Sequence, residues 1–272
     1  GTALFQQTVN IDNSDDNSQT LLLKCYFELE DKISFSNQLD FLVQQGALNS
    51  TLGALTSRAE IRFGIKKENV FSKRPFEHVV TKKLSEKYDF DEVFVRPVKD
   101  ILKEKNISFR TQDLLTKGQQ TAGNLFAKNS EHINRIKRII LEEIENYRSR
   151  FYGSDEGFLR KWPSEIYLKG WLINMKSGGE LRPHMHENGW LSGAVYINVP
   201  DKNETDEGNF VVCVAEDFTE ENRGYISNQT VDVSTGDLVI FPSSLLHYTI
   251  PFTSSQERTV LAFDVRPKDF PS

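Results

Sequence analysis

The sequence predicts an α+β protein: an α-helical, repeat-like N-terminal region followed by a β domain of sandwich, jelly-roll or barrel type. Three observations carry this. Apolar residues between Thr20 and Gly64 recur mostly three or four positions apart, the period of a helix face. After Trp162-Pro163 the texture changes to short β-type runs separated by Gly, Asn and Asp. Between the two lies an amphipathic stretch at 129–151 of the kind that covers one face of a sheet.

In chain order, the first residues end in a polar lead at 12–18, Asp-Asn-Ser-Asp-Asp-Asn-Ser, expected to be loose. The helical pattern follows, with Leu21, Leu22, Cys25 and Leu29, then Leu39, Leu42 and Val43, then Leu52, Leu55, Ala59 and Ile61; Gly46 and Gly53 read as breaks. Such short helices form an antiparallel bundle or the last units of a helical repeat array. Residues 65–128 carry no clear period. Asn129 or Ser130 caps the next helix, Glu131 sits in its first turn, and Ile133, Ile136, Ile140, Ile144 and Tyr147 form its apolar stripe. The candidate strands are 166–175, 191–199, 209–214, 229–233, 238–241, 246–251 and 258–265, a density that suits a sandwich, jelly roll or barrel. The expected organisation is a helical region at 1–80 and a barrel domain at 81–272, with 129–151 as its supporting helix.

Composition excludes some classes. The chain of 272 residues is 38% hydrophobic and 26% charged, ordinary for a globular protein. A net charge of −6 argues against a nucleic-acid-binding face, though not against a small basic pocket for an anionic ligand. No apolar run approaches the roughly 20 residues needed to cross a bilayer, and no signal-peptide pattern opens the chain. The two cysteines, Cys25 and Cys213, allow one disulfide, but two free thiols in a cytoplasmic setting is the plainer reading. The chain opens Gly1-Thr2 without a methionine, as a piece of a protein extending further towards its N-terminus would.

The chemistry concentrates in the histidines. In Pro183-His184-Met185-His186, alternate residues of a strand point to one face, so both imidazoles can meet one ion. Gly178-Gly179 suggests a flexible turn ahead of them. In Gly236-Asp-Leu-Val-Ile-Phe-Pro242-Ser-Ser-Leu-Leu-His247, a turn glycine, an apolar strand and a proline bend return a third histidine to the same end of a barrel. A lone strand histidine is usually only a satisfied or surface residue; two histidine-bearing segments on separate strands favour a metal site. Imidazoles suit iron, zinc, copper or nickel, and three of them leave open coordination positions. The usual iron facial triad has a carboxylate where His186 stands, so Glu187 is the fallback ligand. His78 and His132 receive no role.

Arg258 lies on the next strand, where a guanidinium can grip a carboxylate as a bidentate fork; a surface arginine is the plainer alternative. On the strand 191–199, Ser192, Ala194, Tyr196 and Asn198 share one face. Inside a barrel this small, polar face suits a ligand cavity; otherwise it meets solvent. Arg258, Tyr196, Ser192 and Asn198 are therefore the candidate ligand-binding residues.

These residues carry a resemblance. From about Trp171 to Val265 the chain resembles 2-oxoglutarate/iron(II) oxygenases whose motif is His-x-His followed by Leu-Ser-Gly and a Tyr-containing strand, here Pro183-His-Met-His-Glu-Asn-Gly-Trp-Leu-Ser-Gly-Ala-Val-Tyr196. Gly236 to His247 and Arg258-Thr-Val-Leu-Ala-Phe-Asp264 match in order and spacing. More weakly, Asn124-Leu-Phe and the helix after it resemble the segment preceding this barrel, and residues 20–80 resemble the tail of a tetratricopeptide array. The resemblance implies a double-stranded β-helix (jelly-roll) barrel with Fe(II) on His184, His186 and His247. It implies 2-oxoglutarate chelating the metal with its distal carboxylate on Arg258, and O2 as oxidant. The reaction implied is decarboxylation to succinate coupled to C–H hydroxylation. A protein or peptide substrate reached through the helical region is one expectation, with no nucleic acid and no membrane partner. Two positions depart from the wider superfamily: His186 replaces its Asp or Glu, and Val260 stands where many relatives have Ser or Thr.

Two rivals remain. A cupin-type metalloprotein not using 2-oxoglutarate shares the barrel and the glycine–histidine spacing, but its glutamate is missing, with Trp190 and Leu191 in the corresponding places, and it has no need of Arg258. A catalytically inactive barrel serving as a binding module would have no need of the histidines.

Overall fold

The computed structural model describes residues 16–104, 106–215 and 227–268. Three helices open it: α1 (Asp16–Glu28), α2 (Lys32–Gln44) and α3 (Ser50–Phe63). Their starts are set locally, because Asp31 accepts from the Ser34 N–H at 3.0 Å and Asn49 from the Leu52 N–H at 2.8 Å, each satisfying an otherwise orphan helix donor. Leu23, Phe27, Phe35, Leu39, Leu42 and Leu55 then share one apolar cluster. Two expectations change. The polar lead at 12–18 lies outside the described residues up to 15, and Asp16–Ser18 are not a loose lead but open α1. Gly53 is not a break; it sits inside α3, where a Cβ would stand 2.8 Å from that of Phe71, so a side chain there would push this buried ring away.

The zone without a sequence period supplies β1 (Val80–Lys83), α4 (Arg96–Lys103), β2 (Phe109–Arg110) and β3 (Leu115–Thr121). The expected helix follows as α5 (Glu131–Arg150), preceded by Ser130 with no side-chain cap bond, and α6 (Gly157–Arg160) is a single turn. The β region consists of β4 (Ile166–His184), β5 (Leu191–Asn198), β6 (Phe210–Cys213), β7 (Asn228–Val231), β8 (Asp237–Pro242), β9 (Leu246–Thr249) and β10 (Arg258–Pro267). Gly178-Gly179 does not end a strand. Gly178, at φ 72°, is a bend within β4, which continues to His184.

All pairings are antiparallel. The main run is β1-β8-β5-β10-β4-β9-β6-β7, with β3 and β2 added beside β4. The first part of β4 pairs with β10, from Ile166↔Pro267 to Met175↔Arg258, while its last part pairs with β9 through Leu181↔Thr249 and His184↔His247. One long bent strand thus serves both walls and curls the sheet into the jelly roll of a double-stranded β-helix.

The pleat sorts the side chains. Leu261, Phe263 and Val265 of β10 face outward and pack with Ile136, Ile140 and Ile144 of α5 in the main core. The alternate residues of β10, from Arg258 to Arg266, line an internal cavity. Gly193 permits this packing, since a Cβ there would lie 2.3 Å from Cζ of Phe263. The helical unit is seated on the loop after β4: Ser50 donates its hydroxyl to the Glu187 carbonyl at 2.9 Å, and Lys24 pairs with the Glu187 carboxylate.

Candidate functional site

Antiparallel register places His184 on β4 directly opposite His247 on β9, with ring centroids 4.3 Å apart. His186, two residues on, brings its ring to 4.8 Å from His247 and 5.3 Å from His184. One ligand nitrogen from each histidine lies within 4.8 Å of the others, the only such cluster of three or more potential metal-binding groups among the described residues.

The tautomers follow from the partners. Nδ1 of His184 lies 2.8 Å from the Arg182 carbonyl, and that of His247 lies 3.5 Å from the Leu245 carbonyl. Nδ1 of His186 lies 2.5 Å from Oδ1 of Asp264. With each Nδ1 turned to an acceptor, Nε2 is the donor left for an ion. Burial, then the neighbouring His186, pushes the His184 pKa down to about 4. Burial and the other two rings hold His247 well below the usual imidazole range. Both are therefore neutral near pH 7, the form that ligates. Three imidazoles lining one cavity fit a divalent transition metal with open positions.

Asp264 is wholly buried on β10. Its Oδ1 accepts from the Ser192 hydroxyl at 3.0 Å as well as facing His186, and its Oδ2 pairs with Arg266 at 2.8 Å. Burial alone would raise its pKa, but His186 and Arg266 outweigh that and hold it below the usual carboxylate value. An ionised carboxylate thus stands directly behind a three-imidazole set that has no carboxylate of its own.

At the other end of the same face of β10, Arg258 is only 2% exposed, and its Nε donates to the Gly208 carbonyl at 3.1 Å. Its guanidinium lies over the ring of buried Tyr196, 5.2 Å from the centroid, with the phenol hydroxyl within its reach. Burial lowers the Arg258 pKa from its usual value. Val260, two residues on, supplies no hydroxyl, and Tyr196, its cross-strand partner, brings one instead. Arg258, Tyr196 and the three histidines all line one cavity of about 250 Å³.

The other sequence candidates separate. Ser192 is fully buried and bonds Asp264 and Ser243 rather than lining the cavity. Asn198 lies off the cavity and donates its amide to the Glu257 carbonyl, because its end of β5 runs past the barrel wall. Glu187 is not drawn into the histidine cluster; it is exposed on the loop beyond β4, where Lys24 holds it. Sequence reasoning missed Asp264, Lys169 and Arg266. The signal for Asp264 was its even spacing from Arg258, which fixes both on one face of β10.

Residues 169–264 match the family model described as "Putative 2OG-Fe(II) oxygenase", so the resemblance read from the sequence holds over the stretch that contains the whole site. Fe(II) and 2-oxoglutarate are the cofactor and co-substrate which that description names. No curated protein sequence matches the chain. Among solved structures, the non-heme alpha ketoglutarate dependent epimerase SnoN from nogalamycin biosynthesis shares the fold at TM-score 0.50 and 13% identity, over 73% of this chain and 81% of that one. SnoN has also been solved in complex with Fe3+, alpha ketoglutarate and nogalamycin RO. A Pseudomonas putida prolyl-4-hydroxylase aligns over 79% of this chain and 99% of its own at 12% identity and TM-score 0.48.

Proposed function

With an oxygenase-type match over residues 169–264, we propose that this chain is an Fe(II)- and 2-oxoglutarate-dependent dioxygenase that hydroxylates a C–H bond of its substrate. The observation that carries the reading is one cavity with three clustered imidazoles on its wall and a buried arginine at the far end of β10. When bound, iron with 2-oxoglutarate and O2 supplies the oxidation, in which 2-oxoglutarate becomes succinate and CO2 and an oxygen atom enters the C–H bond.

The chain's own residues do the rest. His184, His186 and His247 would hold the metal through Nε2, and Asp264 would orient His186 and balance the charge that a neutral ligand set leaves. Arg258, desolvated and held by Gly208, receives the distal carboxylate as a planar fork, with the Tyr196 hydroxyl as a second donor. Phe210, Phe241 and Val260 line the cavity with apolar surface that excludes water around the co-substrate and strengthens those polar contacts. A cupin-type metalloprotein would have no use for this buried arginine. The helical region, docked on the loop beyond His186, supports a protein or peptide side chain as the substrate. No described helix is long and apolar enough to cross a membrane, and Cys25 and Cys213 form no disulfide; a cytoplasmic setting belongs to the same reading.

The test is anaerobic loading with Fe(II) and 2-oxoglutarate, monitored by the visible metal-to-ligand charge-transfer band. The expected result is a band in the wild type that is absent in His247→Ala and weakened in Arg258→Ala. Metal binding without a band sinks the co-substrate assignment, and no metal binding sinks the site.

A further inference from the structure

The cavity carries a second group of cations that the histidines and Arg258 leave unused. Lys169 stands directly across from Asp264 in the β4–β10 register, and Arg266 follows two residues on along the same face of β10. Arg110 on β2 pairs with Gln120, which pairs in turn with Ile173, so it joins the same wall. All three line the cavity, and Asp264 is the only acidic residue among its lining residues.

The pairing at this end is uneven. Asp264 is fully committed, its Oδ1 to His186 and Ser192 and its Oδ2 to Arg266. Lys169 is half-buried, and neither its side chain nor that of exposed Arg110 makes a hydrogen bond or ion pair among the described residues. Burial, then the repulsion of Arg266, lowers the Lys169 pKa, and the attraction of Asp264 does not offset them. Three cations therefore face one carboxylate in a chain whose net charge is −6.

The proposed co-substrate's distal carboxylate already has Arg258, which stands at the other end of the same face of β10. Arg258 and Asp264 lie six positions apart on β10, about 20 Å between their Cα atoms at ~3.3 Å per residue. Between the two ends the wall is apolar, with Trp171, Ile173, Val260 and Ala262.

We propose that Lys169, with Arg110 and Arg266, forms an anion-binding subsite for the primary substrate, which carries a carboxylate or phosphate close to the carbon that reacts. The assignment to the primary substrate rests on the oxygenase reading; the anion site itself does not. It places a cation on each side of the histidines: Arg258 for the co-substrate and Lys169 for the substrate.

Trp171 lines the cavity and reports its occupancy, with Trp171→Phe as the blank. The experiment is a fluorescence titration with inorganic phosphate and, separately, acetate at constant ionic strength, with and without saturating 2-oxoglutarate. The expected result is a saturable change by at least one anion, the stronger of the two distinguishing phosphate from carboxylate. Lys169→Gln should raise its midpoint by about tenfold or more, the loss of one charge-assisted hydrogen bond. Lys169→Arg should recover it, while the affinity for 2-oxoglutarate stays within about twofold because the two ends are independent. The proposal is overturned if neither anion saturates, or if Lys169→Gln titrates like the wild type. Failure of the oxygenase reading would look different: 2-oxoglutarate would not bind the wild type, whereas the Lys169-dependent anion titration would persist.

Discussion

Nδ1 of His186 lies 2.5 Å from Oδ1 of Asp264, a carboxylate with no exposed surface that also accepts from Ser192 and pairs with Arg266. A neutral ligand set leaves the charge of a divalent ion unbalanced, and this relationship supplies the missing negative charge through one imidazole. Replacing Asp264 by Asn keeps the shape and removes the charge. Metal affinity should fall about 10- to 100-fold, read by competitive titration with a chelator. An unchanged affinity would take Asp264 out of this role.

Arg258 should not tolerate lysine. Its Nε is already used by the Gly208 carbonyl, so the guanidinium is aimed by a bond that lysine cannot make. Arg258→Lys should lose 2-oxoglutarate affinity by about tenfold or more despite keeping the charge, since a charged hydrogen bond contributes roughly 1.5–3 kcal/mol. Direct binding measurements check this, and wild-type affinity in the lysine variant would show that charge alone suffices.

Gly193→Ala tests the contact between the outer face of the barrel and its core. The new Cβ would fall 2.3 Å from Cζ of Phe263, a fully buried ring. Overpacking of this kind costs about 1–3 kcal/mol. Urea unfolding should show that loss, and Phe263→Leu in the same chain should recover part of it. A neutral Gly193→Ala would mean the ring moves freely.

The metal-free protein should lose stability on acidification. The His184 pKa is about 4 in the fold against 6.5 for an unperturbed imidazole, and His247 is shifted the same way. Between those values the unfolded chain binds more protons than the folded one, so stability rises with pH. The contribution of His184 is complete above 6.5 and is lost as pH falls towards 4. Thermal unfolding across this window should show a slope that His184→Gln reduces, and identical slopes would contradict it.

Much of the site was legible because strands have a period of two. The spacing of His184 and His186, the turn before Asp237 and the bend after Pro242 were visible in the residues, as was the apolar stripe of α5. The segments β1, β2 and β3 were not. Val80–Lys83 and Leu115–Thr121 are rich in Lys, Thr and Gln, and they join the sheet through backbone pairing, which leaves no side-chain alternation to detect. Glu187 looked like a reserve ligand because it is adjacent in sequence, but the chain turns after His186 and sends it to Lys24.

By itself the sequence determined which residues share a strand face and which atoms can ligate, since side-chain chemistry and the pleat are local properties. Tertiary structure alone decided which groups meet across the barrel. Asp264 reaches His186 from 78 positions away, and the Lys169 cluster exists only because β4 and β10 pair in one register. Those pairings depend on how the outer faces pack under α5, a property of the whole core that no local pattern encodes.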